Sequence, residues 1–300
     1  MVFLLFSIAC SATIALIFKR SESKNRNRYA LLTVNYLVAI TVSLTLIMQE
    51  GWPFSGFDLW KIWPEMWAAL GETELANEES LAWAVTVGLG AGFFFFAAFV
   101  YYQIAIRHHG MSIARAFQKM GAMLPMVLSL VLWRELPTSL QGVGIALAVA
   151  SLTMVNMPRG DAGKALKPAL LLVFLFGGMA TFSNKVFQKY GMQDHKAVFL
   201  MVTFSTAFVF SLITLIIQKK PFGKKDLLWG VAVGAPNLFT SYFLIMALDS
   251  LPAAVVYPAF AAGAIVVVAL VDLLVFKEQL SRVEKIAILL TIVALVLINL

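Results

Sequence analysis

Residues 112–135 read SIARAFQKMGAMLPMVLSLVLWRE, an apolar, helix-length stretch in which two cations, Arg115 and Lys119, stand one helical turn apart. Residues 255–278, VVYPAFAAGAIVVVALVDLLVFKE, echo it 143 positions later. Without a gap, Phe117 falls on Phe260, Arg134 on Lys277, Glu135 on Glu278 and, further along, Asn156 on Asn299. Pro258 and Ala262 stand where the first copy has Arg115 and Lys119. The chain therefore reads as a duplicated scaffold in which one copy alone carries a charge pair.

Working outward, the echo continues with a one-residue shift. Gly88 and Gly92 precede Gly230 and Gly234 by 142 positions, and Ala105 precedes Ala247 by the same interval. The composition explains what is being repeated. The chain is 61% hydrophobic and 13% charged, whereas a soluble domain carries about 25% charged residues. Apolar runs long enough to cross a hydrocarbon core of about 30 Å recur throughout. In lipid the backbone must satisfy its own hydrogen bonds, so these runs are expected as helices. The fold class is an all-α membrane protein with ten transmembrane helices.

The expected spans are roughly 2–18, 29–48, 81–106, 111–133, 138–157, 168–188, 197–217, 227–248, 253–276 and 283–300. They divide into a five-helix repeat over 1–158, a linker over 159–165, and a second five-helix repeat over 166–300. Five is odd, so the second copy sits upside down relative to the first. Inverted repeats place a cavity at their interface and permit alternating access. One connection is long. Residues 49–80 contain Trp52, Trp60, Trp63 and Trp67 with many glutamates, and 57–70 is expected as a short helix at the membrane surface, serving as an anchor or as a lid or partner site.

Loop charges give an orientation. Sixteen of the 23 lysines and arginines fall in the odd-numbered connections and four in the even-numbered ones. Basic loops stay in the cytoplasm, so both termini are expected outside, with the protein in a bacterial inner membrane. The net charge of +7 follows from these loops, and no nucleic-acid partner is implied. A single cysteine, Cys10, excludes an internal disulfide and a cysteine metal cluster. Residues 1–18 lack a basic leader, which marks a retained first span.

The segments LSLVLWRELPTSLQGVGIALAVASLTMVN and VALVDLLVFKEQLSRVEKIAILLTIVALVLIN close the fourth span of each half and run through the fifth. With two five-span halves, they resemble the drug/metabolite transporter superfamily, most closely its EamA-like members. The resemblance implies carriage of small metabolites, often export, along a pathway lined by spans 1, 3, 4 and 6, 8, 9. Characterised members are usually drawn with both termini in the cytoplasm, and the charge count here points the other way.

The candidate substrate-binding residues are cations and polar groups inside spans. Arg115 and Lys119 share a helix face. A cation at membrane depth faces a wet cavity or a partner, or snorkels to the interface. Lys185 lies near the outer end of span six, where snorkelling would serve it, beside Ser183 and Asn184. Asp272 is an ion-pair or proton-coupling candidate. Pro125, Pro236 and Pro258 are helix-break candidates, with Asn237, Tyr242 and Tyr257 nearby as polar groups that bind substrate or bond across helices.

Neither a metal site nor a set of catalytic residues is visible, so no enzyme and no cofactor are expected. The expected function is secondary active transport of a small anionic or zwitterionic metabolite, such as an amino acid or an organic or phosphorylated acid. The alternatives are a flippase for a lipid-linked phosphate group and a non-transporting membrane scaffold. The partners are the solute and the lipid bilayer, and a homodimer is allowed.

Overall fold

The computed structural model of the protein describes residues 1–21, 27–71, 75–109, 114, 117, 118, 120–156, 168–219, 221, 223–274 and 282–299. Eleven α-helices follow one another among these residues. They are α1 (Val2–Ser21), α2 (Arg28–Glu50), α3 (Leu59–Ala69), α4 (Asn77–His109), α5 (Met123–Trp133), α6 (Ser139–Asn156), α7 (Pro168–Tyr190), α8 (Lys196–Gln218), α9 (Lys224–Ser250), α10 (Ala253–Leu274) and α11 (Arg282–Asn299). No strand occurs among the described residues.

Among the described residues, six helical segments are long and apolar enough to cross a membrane: Arg28–Glu50, Asn77–Ile106, Pro168–Tyr190, Gln193–Gln218, Lys224–Ser250 and Ala253–Val271. Four shorter apolar stretches lie at Val2–Ile17, Met123–Trp133, Ser139–Ser151 and Lys285–Ala294. Outward faces agree with a lipid solvent. Ile213, Ile216 and Ile217 on α8, and Leu289, Ile292 and Val296 on α11, are large, apolar and exposed. In water such continuous stripes would drive aggregation. The chain is an all-α membrane protein.

Local chemistry sets where the helices begin. Asn27 accepts hydrogen bonds from the N–H groups of Tyr29 and Ala30, capping α2. Asp58 does the same for Trp60 and Lys61 at α3. The Asp226 carboxylate reaches back to the Gly223 N–H at α9. The Trp-rich segment does form a helix, α3, whose Ile62 and Met66 are buried while Trp60 remains 81% exposed. Trp67 meets Trp83 of α4 edge to face at 6.0 Å, so α3 is packed onto the bundle. α4 runs on through His108 and His109, beyond the end at 106 expected for that span.

Two packing relationships organise the interior. α4 lies against α8 through Gly88 and Gly92: a Cβ at Gly88 would meet the Phe199 carbonyl oxygen at 3.0 Å, and one at Gly92 would collide with the Thr203 carbonyl oxygen. α9 lies against α2 through Gly230 and Gly234, where a Cβ would meet the Leu31 carbonyl oxygen at 2.7 Å and that of Asn35 at 2.9 Å. Small residues four apart let backbones approach this closely. Further pairs are α4 with α7, α1 with α9, α2 with α8, α6 with α11, and α5 with both α7 and α10. One core is built from α2, α4, α7, α8 and α9, with Phe187 and Phe199 stacked at 4.6 Å. A second joins α1, α9 and α10 with Met126 of α5.

Candidate functional site

Several of the candidate residues meet at the bundle end that holds the start of α1, the ends of α5, α7 and α9, and the start of α10. α5 stops at Trp133 because Arg134 adopts a left-handed backbone (φ 52°, ψ 36°), a conformation that costs a non-glycine residue roughly 1–2 kcal/mol. Pro137 follows and cannot rejoin the helix. The turn leaves Glu135 facing α7 and α10.

Glu135 Oε1 stands 2.7 Å from Lys185 Nζ. Its other oxygen accepts the backbone N–H of Ala253 at 3.0 Å. Ala253 opens α10, so the carboxylate also meets the positive end of that helix. Lys185 donates to Gln188 Oε1 at 2.9 Å and lies 5.8 Å from the Trp133 ring centre. Trp133 donates its indole N–H to the Tyr190 hydroxyl at 3.1 Å. The Lys185 side chain is only 4% exposed. This corrects the snorkelling account: Lys185 is held among protein groups, because a carboxylate and an amide supply what water would have supplied.

One turn deeper on α7, the Thr181 carbonyl accepts the hydroxyl of fully buried Tyr257 at 3.3 Å. Asn184 is buried beside Lys185, and its Oδ1 has no hydrogen-bond partner among the described residues. A cavity of about 450 Å³ opens here, lined by Glu135, Lys185, Gln188, Lys189, Asp249 and Ser250.

The other candidates are placed differently. Asn237 donates to Asn35 Oδ1 at 3.3 Å, which is a helix-to-helix bond between α9 and α2. Tyr242 lies 5.1 Å below Lys196 Nζ in a cation–π contact. Lys196 also donates to the Gln193 carbonyl at 3.0 Å and stands 4.0 Å from Glu50. Nearby, Ser80 Oγ accepts the Met192 N–H at 2.8 Å and lies 2.9 Å from His195 Nδ1. A second cavity of about 440 Å³ adjoins this group, lined by Glu50, Trp52, Asn77, Asp194 and His195 among others.

The prolines divide too. Pro236 and Pro258 are interior to α9 and α10. The Pro236 carbonyl accepts from Thr240 Oγ1 at 2.7 Å, and the Thr240 carbonyl accepts from Ser7 of α1 at 2.7 Å. Pro125 sits in the first turn of α5, where a missing N–H costs nothing. Met120 and Gly121 are themselves helical and Ala122 is a turn, so a one-residue interruption stands immediately before the helix that holds Pro125. Arg115 and Lys119 lie outside the described residues, as does the side chain of Asp272, whose backbone belongs to α10. Among the described residues no cluster of three metal-binding side chains occurs.

Glu135 was visible in the sequence as a marker of the repeat, but its role was not. Its partner is fifty positions away on another helix, and only the Arg134 turn brings the two together.

The fold and parts of the chain have counterparts in other proteins. An uncharacterised protein of Haemophilus influenzae is 22% identical over 296 residues, covering 97% of this chain and 95% of that one. A protein solved by crystallography superposes with a TM-score of 0.67 at 15% identity, covering 99% of this chain and 94% of its own; that likeness concerns the fold alone. Residues 164–300 match the model of the EamA-like transporter family, a family of membrane transporters. The likeness to the EamA-like transporters thus covers the second half of the chain.

Proposed function

We propose that the protein is a secondary active transporter that moves a small anionic or zwitterionic metabolite by alternating access between two inverted five-helix repeats, 1–158 and 166–300. The observation that carries this reading is the recurrence of packing between the halves. Gly88 and Gly92 seat α4 on Phe199 and Thr203 of α8, and Gly230 and Gly234 seat α9 on Leu31 and Asn35 of α2. The third helix of one half thus uses the second helix of the other in the same way, twice. The pairings of α4 with α7 and of α1 with α9 exchange under the same operation. Such symmetry supports two nearly equivalent arrangements, each closed at one end.

Arg115 and Lys119 are the proposed cations for the solute's negative group, with Asn184 and Tyr257 lining its path. Asp272 is the proposed coupling group. The proposed setting is a bacterial inner membrane with both termini outside. The test is thermal unfolding of the purified protein against amino acids, carboxylates, phosphorylated metabolites and lipophilic cations. A ligand at 100 times its Kd adds about 2.7 kcal/mol. Stabilisation by an anion or zwitterion that is lost in Lys119→Ala is expected. Stabilisation by lipophilic cations alone would overturn the solute class.

A further inference from the structure

We propose that Lys185 and the first N–H of α10 form a carboxylate-binding site for the transported solute, and that Glu135 occupies this site as a tethered stand-in while that end of the protein is closed. The inference rests on the transport reading and adds to it a site, a ligand class and a way of coupling binding to opening.

The argument starts from where the groups come from. The receptor lies wholly in the second half of the chain: Lys185 Nζ and Gln188 on α7, and the Ala253 N–H at the start of α10. The carboxylate that fills it comes from the first half, on the turn after α5. Each Glu135 oxygen has its own partner, one ammonium and one backbone N–H. That is how a free carboxylate is held at a helix N-terminus beside a cation. The receptor is thus fully occupied, and its occupant is of the chemical class the site selects.

Opening this end separates the halves and carries Glu135 away. Lys185, 4% exposed while Glu135 is in place, would then lose its counter-ion and would have to be rehydrated or paired with another anion, which disfavours opening. An incoming carboxylate removes that obstacle by taking the place Glu135 leaves. The adjoining space of about 450 Å³ is sufficient for a small acid, and Ser250 and Lys189 on its wall offer further donors. Asn184, buried with an Oδ1 that has no partner among the described residues, follows on the same helix. Opening without a solute is therefore disfavoured, as exchange or coupled transport requires.

The experiment uses the purified full-length protein and follows its thermal unfolding in succinate, in inorganic phosphate, and in chloride at matched ionic strength. In Glu135→Gln, succinate is expected to act at concentrations at least tenfold lower than in the parent, since the resident competitor is gone. In Glu135→Gln with Lys185→Gln, which removes both charges together, the response to succinate is expected to vanish. Should Glu135→Gln not be recovered folded, Glu135→Asp carries the same expectation in smaller measure. Equal half-maximal concentrations in parent and Glu135→Gln, or a response that survives in the double variant, would overturn the proposal. A response to phosphate without one to succinate would overturn the carboxylate class. Succinate counterflow by the parent in proteoliposomes separates the two readings. Counterflow with succinate binding indifferent to both residues rejects this site and keeps transport. Tighter binding in Glu135→Gln without counterflow keeps the site and rejects transport.

Discussion

Glu135 and Lys185 stand 2.7 Å apart, and this contact ties the first half of the chain to the second at the end where α10 begins. Its energetics are asymmetric. Two charges taken out of water together roughly break even, but stranding one of them is costly.

Lys185→Met is therefore expected to destabilise the protein by about 3 kcal/mol, the low end of the range for a broken buried pair, because Glu135 is 18% exposed and keeps some water. Glu135→Gln combined with Lys185→Met is expected to recover more than half of that loss. Thermal or denaturant unfolding of the four proteins in one detergent checks this. Additive losses would show that the pair is not coupled.

The glycine contacts give a prediction with an internal control. Gly92→Ala and Gly234→Ala place a methyl group against carbonyl oxygens and side chains of α8 and α2, and overpacking of this kind costs about 1–3 kcal/mol. Gly90, on the same helix as Gly92, has nothing among the described residues within 4 Å of its would-be Cβ. Gly90→Ala is expected to be neutral or to stabilise by up to about 1 kcal/mol through helix propensity. Unfolding midpoints that rank Gly90→Ala with the other two would remove the close-packing account.

Tyr257 separates packing from hydrogen bonding. Its ring is fully buried and its hydroxyl donates to the Thr181 carbonyl. Tyr257→Phe should cost about 1 kcal/mol, whereas Tyr257→Ala should cost about 3–5 kcal/mol by opening a cavity. The same unfolding assay distinguishes the two losses.

Orientation has a direct readout on α3. Trp60 is 81% exposed and lies in an even-numbered connection, on the side poor in lysine and arginine. Trp60→Cys, in a Cys10→Ser background, is expected to react with a membrane-impermeant maleimide in intact cells. Labelling only after the cells are broken would place that end, and both termini, in the cytoplasm.

How much of this was legible in the sequence follows from the range of each interaction. Composition and run length alone dictate helices in lipid, since an apolar run must satisfy its backbone within itself. Gly88, Gly92, Gly230 and Gly234 betray their packing role by spacing, because four residues return to one helix face. Caps such as Asn27 and Asp58 act over two or three residues and are equally local. Lys185 was recognisable as a cation in a span, but not as one half of an ion pair. Its depth suggested snorkelling because a sequence does not display the fifty-residue separation closing to 2.7 Å. Asn237 and Tyr242, polar near a kink, proved to be taken up by Asn35 and Lys196. Local periodicity and composition decided what the elements are. Only the tertiary structure decided which buried polar group meets which, because in a low-dielectric interior each such group must find a partner, and those partners lie on other helices.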